Sequence, residues 1–253
     1  MKNEELKQLW LSEEQAAFSG WDFTRLENRW EEAPLSWDYA KIVQQYLSPE
    51  KQLLDLGTGG GEFLLTLGHL YHNTSITESW EPNYQLCKRK LEPLGITVRK
   101  PISDHNLPYA DSSFDIVISR HEAYDLDEVR RVLRHGGMFI TQQVGGSNNE
   151  VLSQFLIDDF VLQYSGFALE SEKKSFLDHG FEILMTGEEY PSLRFFDVGA
   201  IVYFAKIIPW EFPGFSVEGC YLKLCELQRR MEKYGFIESQ EHRFLLVSRK
   251  LID

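Results

Sequence analysis

The run Leu53-Leu54-Asp55-Leu56-Gly57-Thr58-Gly59-Gly60-Gly61-Glu62-Phe63-Leu64 constrains the fold more than any other stretch of this chain. A short apolar segment, 52–56, is closed by glycines, and residues 62–70 continue with helical period, so the glycines occupy a strand-to-helix turn. In that position they let a ligand approach backbone N–H groups at a helix start. The same rhythm continues downstream. Residues 75–78 and 96–99 read as short strands, with a helix from Pro82 to about residue 91 between them. The fully apolar 114–119 (FDIVIS) is a buried strand, 125–134 a helix, and 138–144 a strand after Gly136-Gly137. Short apolar strands alternating with helices predict βαβ units and a parallel sheet covered on both faces.

Outside this core, residues 4–18 read as a helix, and Ser36 or Asp38 can cap a second one that ends at Ser48-Pro49. Residues 150–164 and 171–179 look helical, 181–185 and 242–249 look like strands, and an amphipathic helix over 217–234 is closed by Gly235. The length of 253 residues and the absence of a linker, repeat or low-complexity tract predict a single domain over 1–253. Its parts are N-terminal helices (1–48), a ligand-binding core (50–145) and a helical insertion (190–240) that doubles as a candidate lid.

Composition narrows the partners. There are 39 acidic against 26 basic residues, a formal net charge of −13, which repels phosphate backbones, so no nucleic-acid partner is expected. No apolar run approaches the ~18 residues of a membrane span, and no basic-then-apolar leader is seen. Cys87, Cys220 and Cys225 form neither a CxxC nor a ligand-spaced set with histidine, so no disulfide framework and no metal site is expected. The reducing cytoplasm is the expected compartment.

The ligand of the glycine loop follows from its neighbours. A dinucleotide site wants a third glycine where Glu62 stands, and a carboxylate in the first helical turn opposes a pyrophosphate. No Gly-Lys-Ser/Thr is present, which removes a P-loop. A bare tight turn is one reading; the other is an adenosine-like ligand without phosphates, which S-adenosylmethionine satisfies.

DLGTGGGEF, an acid at the end of the next strand, DHNLPYADSSFDIVI from Asp104 to Ile118, and VLRHGGMFIT from Val132 to Thr141 together resemble class I S-adenosylmethionine-dependent methyltransferases of the small-molecule, type 11-like kind. The resemblance covers about residues 50 to 145 and, more loosely, the final strands. It implies a doubly wound, mostly parallel seven-stranded α/β sheet, with N-terminal helices and the insertion placed before the last strand. It also implies an S-adenosylmethionine cofactor whose methionine part meets Asp55, Gly57, Thr58, Gly59 and Gly61. The ribose partner is then Glu78, 19 residues past Gly59, with Glu81 as rival and, next to Pro82, a natural helix-start residue. Asp104 matches the position that holds the adenine amino group, with the backbone N–H of His105 beside it, and Trp80 either covers the adenine face or belongs to the core. Glu78-Ser79-Trp80-Glu81-Pro82 is one residue longer than the usual pattern, and His135 stands where such enzymes often have proline.

The segment Arg120-His121-Glu122-Ala123-Tyr124-Asp125 follows a central strand and faces the transferred methyl group. It lacks the Asn/Asp-Pro-Pro-Tyr/Phe of enzymes that methylate planar nitrogens. His121 is the candidate general base, its other reading being a loop histidine bound to backbone. Gln142, Gln143, Arg194 and Asp197 are lesser polar candidates, Asp197 being a natural N-cap. The aromatics from Phe195 to Phe215 form either a lid over an apolar acceptor or the core of a larger domain, and Trp21, Trp30 and Trp37 can close the other side. The expected function is methyl transfer to a small molecule; an RNA or protein methyltransferase and a non-catalytic sensor are the alternatives.

Overall fold

Residues 3–18 and 23–252 are described in a computed structural model of the chain. Helix α1 spans Asn3–Glu14, strand β1 Trp30–Glu32 and helix α2 Tyr39–Tyr46. Asp38 caps α2, its carboxylate accepting the Lys41 N–H at 3.1 Å. The βα core follows: β2 Leu53–Leu56, α3 Glu62–Thr66, β3 Thr74–Thr77, α4 Glu81–Lys90, β4 Thr97–Arg99, β5 Phe114–Arg120, α5 Leu126–Val132 and β6 Leu133–Val144. The remainder is α6 Glu150–Leu156, α7 Leu169–Asp178, β7 Phe181–Glu189, β8 Ser192–Phe195, α8 Val198–Ile207, α9 Tyr221–Tyr234, β9 Ile237–Gln240 and β10 Arg243–Lys250.

Seven strands form one sheet in the order β4-β3-β2-β5-β6-β10-β7. The first five are parallel, and β10 runs antiparallel between β6 and β7. Side chains alternate across this sheet, which explains why its strands read as unbroken apolar runs. Leu53, Ile116, Ile118 and Ile140 face one side, where they meet Tyr39, Ile42 and Val43 of α2. Leu54, Val117, Phe139 and Leu246 face the other, where they meet Val129 of α5 and Phe176 of α7.

The segment between β7 and β10 is not purely helical. It contributes β8 and β9, which with β1 make a separate antiparallel sheet in the order β1-β8-β9. Each of these strands has three or four residues, too few to reveal an alternation, and β1 lies over 150 positions from its partner. A second apolar core fills the space between this sheet, α1, α8 and α9. Phe195, Tyr203, Phe204 and Phe212 are buried in it, so of the two readings of the aromatic stretch the core is the one these residues take. Phe196 and Trp210, each 42% exposed, stay at the surface.

Helix α8 is apolar over nearly its whole surface because every residue but Lys206 is buried. Asp197 caps it, accepting the Ala200 N–H at 2.8 Å, and also takes a two-pronged pair from Arg29 at 2.7 and 2.8 Å. Trp30 stacks on Phe23 in the same core, with ring centroids 5.6 Å apart, rather than closing the ligand side. Trp21 lies outside the described residues. Residues expected as one helix over 150–164 are helical only to Leu156, and Asp159 then takes a left-handed backbone at φ 53°.

The placement of the aromatics predicts the cost of removing one. Phe195→Ala is expected to lower the unfolding free energy by about 3–5 kcal/mol, the usual price of emptying a buried phenyl site, as read from urea unfolding followed by circular dichroism.

Candidate functional site at the carboxyl end of the sheet

β3 and β4 lie to one side of β2, and β5 and β6 to the other, so the strand order reverses between β2 and β5. Open parallel sheets bind ligands in the crevice at that reversal, beyond the carboxyl ends of the strands. The glycine loop leaves β2 on one wall, and residues 120–125 leave β5 on the other.

The loop is held from the β3 side. Thr77 O accepts the Thr58 N–H at 3.2 Å, and Glu78 accepts the Gly59 N–H at 2.9 Å. From α4, the Cys87 thiol meets Gly59 O at 3.1 Å and the Lys90 ammonium meets Gly60 O at 3.1 Å. Gly57 has φ +61°, a conformation that favours glycine, and a Cβ there would come within 2.2–2.4 Å of the Glu122 side chain where it now lies.

Glu78 is 5% exposed. One of its oxygens takes the Gly59 N–H and the other the Trp80 N–H, each at 2.9 Å, and burial pushes the carboxyl above its ordinary value against these bonds. Glu81 instead opens α4, faces solvent and pairs with Lys100, so Glu78 alone of the two acids reaches the loop. Trp80 is the N-cap residue of α4 and is 43% exposed. Asp104 lies half-buried on the wall of a cavity shared with Gly57, Thr77, Ser79, Glu122 and Tyr124. His105 sits outside that wall with its side chain exposed, paired to Asp125.

Four carboxylates therefore converge on the loop: Asp55, Glu78, Asp104 and Glu122. Burial, with the Glu78 charge, pushes Asp55 up to about 7, although Arg120 works in the other direction. Burial and then Glu78, Asp104 and Asp55 push Glu122 up to about 7 as well. Carboxylates crowded in this way are matched by a ligand that brings positive charge.

His121, on the other wall, has a left-handed backbone at φ 62°, uncommon for a non-glycine residue. Its side chain is fixed by a relay. The Trp37 indole N–H can only donate, and it donates to Gln142 Oε1 at 2.8 Å. The Gln142 amide must then turn its NH₂ toward His121 Nε2, at 3.1 Å. An amide nitrogen donates, so Nε2 accepts and the neutral ring carries its proton on Nδ1. The residue is exposed to solvent, and the protein around it together with the charges of Arg243 and Arg120 shifts the imidazole below the ordinary histidine range. His121 thus presents an N–H edge, while its basic nitrogen is already engaged by Gln142.

Of the lesser candidates, Gln143 clamps the turn after β5. Its amide donates to Ser119 Oγ at 3.2 Å and to Glu122 O at 3.0 Å. Arg194 pairs with Glu238 and Asp197 caps α8, both within the second sheet and its core. Residues the sequence reading passed over include Glu122 and a buried polar shelf beyond β6. There Asn148 and Asn149 each donate to Glu211 at 2.8 Å, and His242 bridges Ser147 and Glu188 at 2.9 Å each. Gly145 is required beside it, since a Cβ would lie 2.1 Å from the His242 ring. The Gly-Gly-Ser-Asn-Asn run after β6 was the available signal for this shelf.

An acid whose folded pKa is raised stays protonated in the folded chain while the unfolded chain has already lost its proton, so its contribution to stability falls as pH rises between the two values. For Asp55 that window runs from about 4 to about 7. Asp55→Asn is therefore expected to gain stability relative to the parent across this window, by on the order of a few kcal/mol at its top, in urea unfolding at pH 5, 6, 7 and 8. A difference independent of pH would contradict the placement of Asp55.

Residues 54–141 match a family model described as a methyltransferase domain. The chain is 28% identical over 114 residues to the uncharacterized methyltransferase YodH of Bacillus subtilis, a match spanning 42% of this chain and 48% of that protein. It is 31% identical over 115 residues to ribosomal RNA small subunit methyltransferase G of Chlorobaculum tepidum, spanning 43% of this chain and 52% of that protein. The chain thus spans about half the length of both curated relatives. Among solved structures, that of the YcgJ protein of Bacillus subtilis superposes with a TM-score of 0.57 at 16% identity, covering 85% of this chain and 99% of the other.

Proposed function

We propose that this chain, whose residues 54–141 match a methyltransferase-domain model, is a class I methyltransferase that transfers the methyl group of S-adenosylmethionine to a small, partly apolar acceptor in the cytoplasm. The observation that carries this reading is the glycine loop surrounded by Asp55, Glu78, Asp104 and Glu122. Such a site suits a ligand with a positive charge and ribose hydroxyls and opposes one with phosphates.

In this reading Glu78 takes the ribose hydroxyls with the lone pairs its two backbone bonds leave free, and Asp104 and the His105 N–H meet the adenine, with Trp80 at its face. Asp55, Gly57, Thr58, Gly59 and Gly61 hold the methionine part. The cofactor supplies a methyl group on a sulfonium, already activated for displacement. The remaining work of the chain is to hold the acceptor in line with that methyl group and to keep both in register. His121 meets the acceptor through its Nδ1–H edge, and it takes a proton at Nε2 only when Gln142 releases that nitrogen. Residues 1–253 act as one unit, because the segment from Arg29 to Trp37 touches both cores.

The relative named for ribosomal RNA favours a second reading, methylation of RNA, against which the net charge of −13 stands. Binding and turnover separate the readings. Calorimetry is expected to show micromolar S-adenosylmethionine binding, and a panel of small metabolites to yield S-adenosylhomocysteine with one class of acceptor. Gly59→Val should abolish binding, because Gly59 sits at φ +64° and a β-branched residue is strained there. Glu78→Ala should lose roughly 1.5–3 kcal/mol of cofactor affinity. Binding of NADH with no response to S-adenosylmethionine would overturn the reading. Salt-sensitive RNA binding with methyl transfer to RNA would move the acceptor to nucleic acid, and binding without any turnover would make the chain a sensor.

A further inference from the structure

The cavity against the glycine loop measures about 10 Å³, room for roughly one water molecule, whereas sites that hold ligands of nucleoside size run to hundreds of Å³. What fills the difference at Gly57 is the Glu122 side chain, seated where a Cβ on Gly57 would otherwise go. Two observations mark it as the part that moves. Among the described residues its carboxylate has no hydrogen-bond partner, in contrast to Glu78, whose two oxygens are both taken. Its backbone, on the other hand, is fixed: Ser119 Oγ and the Gln143 amide both donate to Glu122 O, at 3.0 Å each. A ligand that lies over Gly57 must turn the side chain aside, and the clamped backbone then keeps the carboxylate within one side chain's length of that ligand.

We infer that Glu122 is a displaceable carboxylate gate over the glycine loop, and that once turned aside it makes the site prefer a cationic ligand to a neutral-sulfur one of the same shape. In the reading proposed above, on which this inference rests, the preference is for S-adenosylmethionine over S-adenosylhomocysteine. The gate would therefore hold substrate and release product.

The charges around it fit this role. Asp55 from β2, Glu78 beyond β3 and Asp104 beyond β4 all face Glu122 and disfavour its ionised form in the closed position. The other charged and titratable groups nearby have partners of their own. Arg120 lies over the Phe63 ring at 4.8 Å, His105 is paired with Asp125, and the Tyr124 hydroxyl bonds Glu172 at 2.6 Å. In the closed form Glu122 holds a proton up to about pH 7. A sulfonium beside it favours the ionised form, so cation binding expels that proton and tightens as pH rises through neutrality. A neutral thioether lacks this term. Asp55 titrates in the same range, so the test has to change Glu122 itself.

Calorimetry at pH 6 and pH 8, with S-adenosylmethionine and S-adenosylhomocysteine as the two probes, reads the preference directly. For the parent chain, the ratio of the two affinities should rise several-fold from pH 6 to pH 8. Glu122→Gln should cut that ratio about tenfold at pH 8, the equivalent of one pK unit of coupling, and flatten its pH dependence. Glu122→Ala should show the same low ratio and bind S-adenosylhomocysteine more tightly than the parent, because the gate is gone. Both variants should melt at or above the parent temperature, since each removes a half-buried carboxyl that faces three other acids. Binding of both probes with the parent ratio kept in both variants overturns the gate and leaves the cofactor reading standing. Binding of neither probe to the parent chain overturns both.

Discussion

The bond from the Gly59 N–H to the buried carboxylate of Glu78 ties the end of β3 to the turn after β2, and the ligand-facing architecture depends on it. Through its other oxygen, which holds the Trp80 N–H, Glu78 also sets where α4 begins. From that start α4 sends Cys87 and Lys90 back onto the carbonyls of Gly59 and Gly60. One side chain therefore organises both the donors and the acceptors of the loop. Burying a carboxylate is costly unless it is hydrogen-bonded, and these two backbone donors offset the cost. The glycines make the arrangement possible, because Gly57, Gly59 and Gly61 all adopt positive φ and leave no Cβ in the way.

The N-terminal segment ties the sheet to the second core. Arg29 reaches Asp197 at the start of α8, Trp30 lies against Phe195 and Phe204, and Trp37 holds Gln142 at the end of β6. Tyr39 then lies with its hydroxyl 3.1 and 2.9 Å from the carbonyls of Ser119, near the carboxyl end of β5, and Ile140, within β6. Roughly ten residues thus span from one core to the other, and a displacement of either would be felt at Gln142. Interfaces of this kind, made of an ion pair, stacked rings and directional hydrogen bonds, resist sliding more than a purely apolar contact does.

The parts of the structure legible in the sequence are those set by local chemistry. Continuous apolar runs such as FDIVIS mark strands buried on two faces, glycines mark the turn after β2, and Asp38 and Asp197 mark helix starts. β1, β8 and β9 were not legible, since a three- or four-residue strand carries no usable period and its register comes from partners far along the chain. The aromatic stretch showed the same limit: aromatic content is the same in a lid and in a core, and only the contacts of Phe195 and Tyr203 with α1, β1 and α8 distinguish them. At the site, Glu78 could be preferred over Glu81 by its distance from the loop and by the proline after Glu81. Glu122 could not be singled out, because its significance lies in the space its side chain fills beside Gly57, which belongs to another segment.

The relay from Trp37 through Gln142 to His121 shows how a structural contact can decide a chemical one. A histidine at a strand end near neutrality is, by type, a proton acceptor. Here the indole fixes the amide, the amide occupies Nε2, and the ring keeps its proton on Nδ1 as a donor instead. In the proposed reading this donor suits an acceptor that presents a lone pair or an anionic oxygen, because it orients that atom without needing to remove its proton. Asp55 and Glu78 come from the β2 and β3 side and Glu122 from the turn after β5, Arg120 acts on Asp55 as well as on His121, and Arg243 acts on the His121 ring. In the proposed reading a cationic donor meets the carboxylates and an electron-rich acceptor meets the His121 N–H, with the reacting atoms between them.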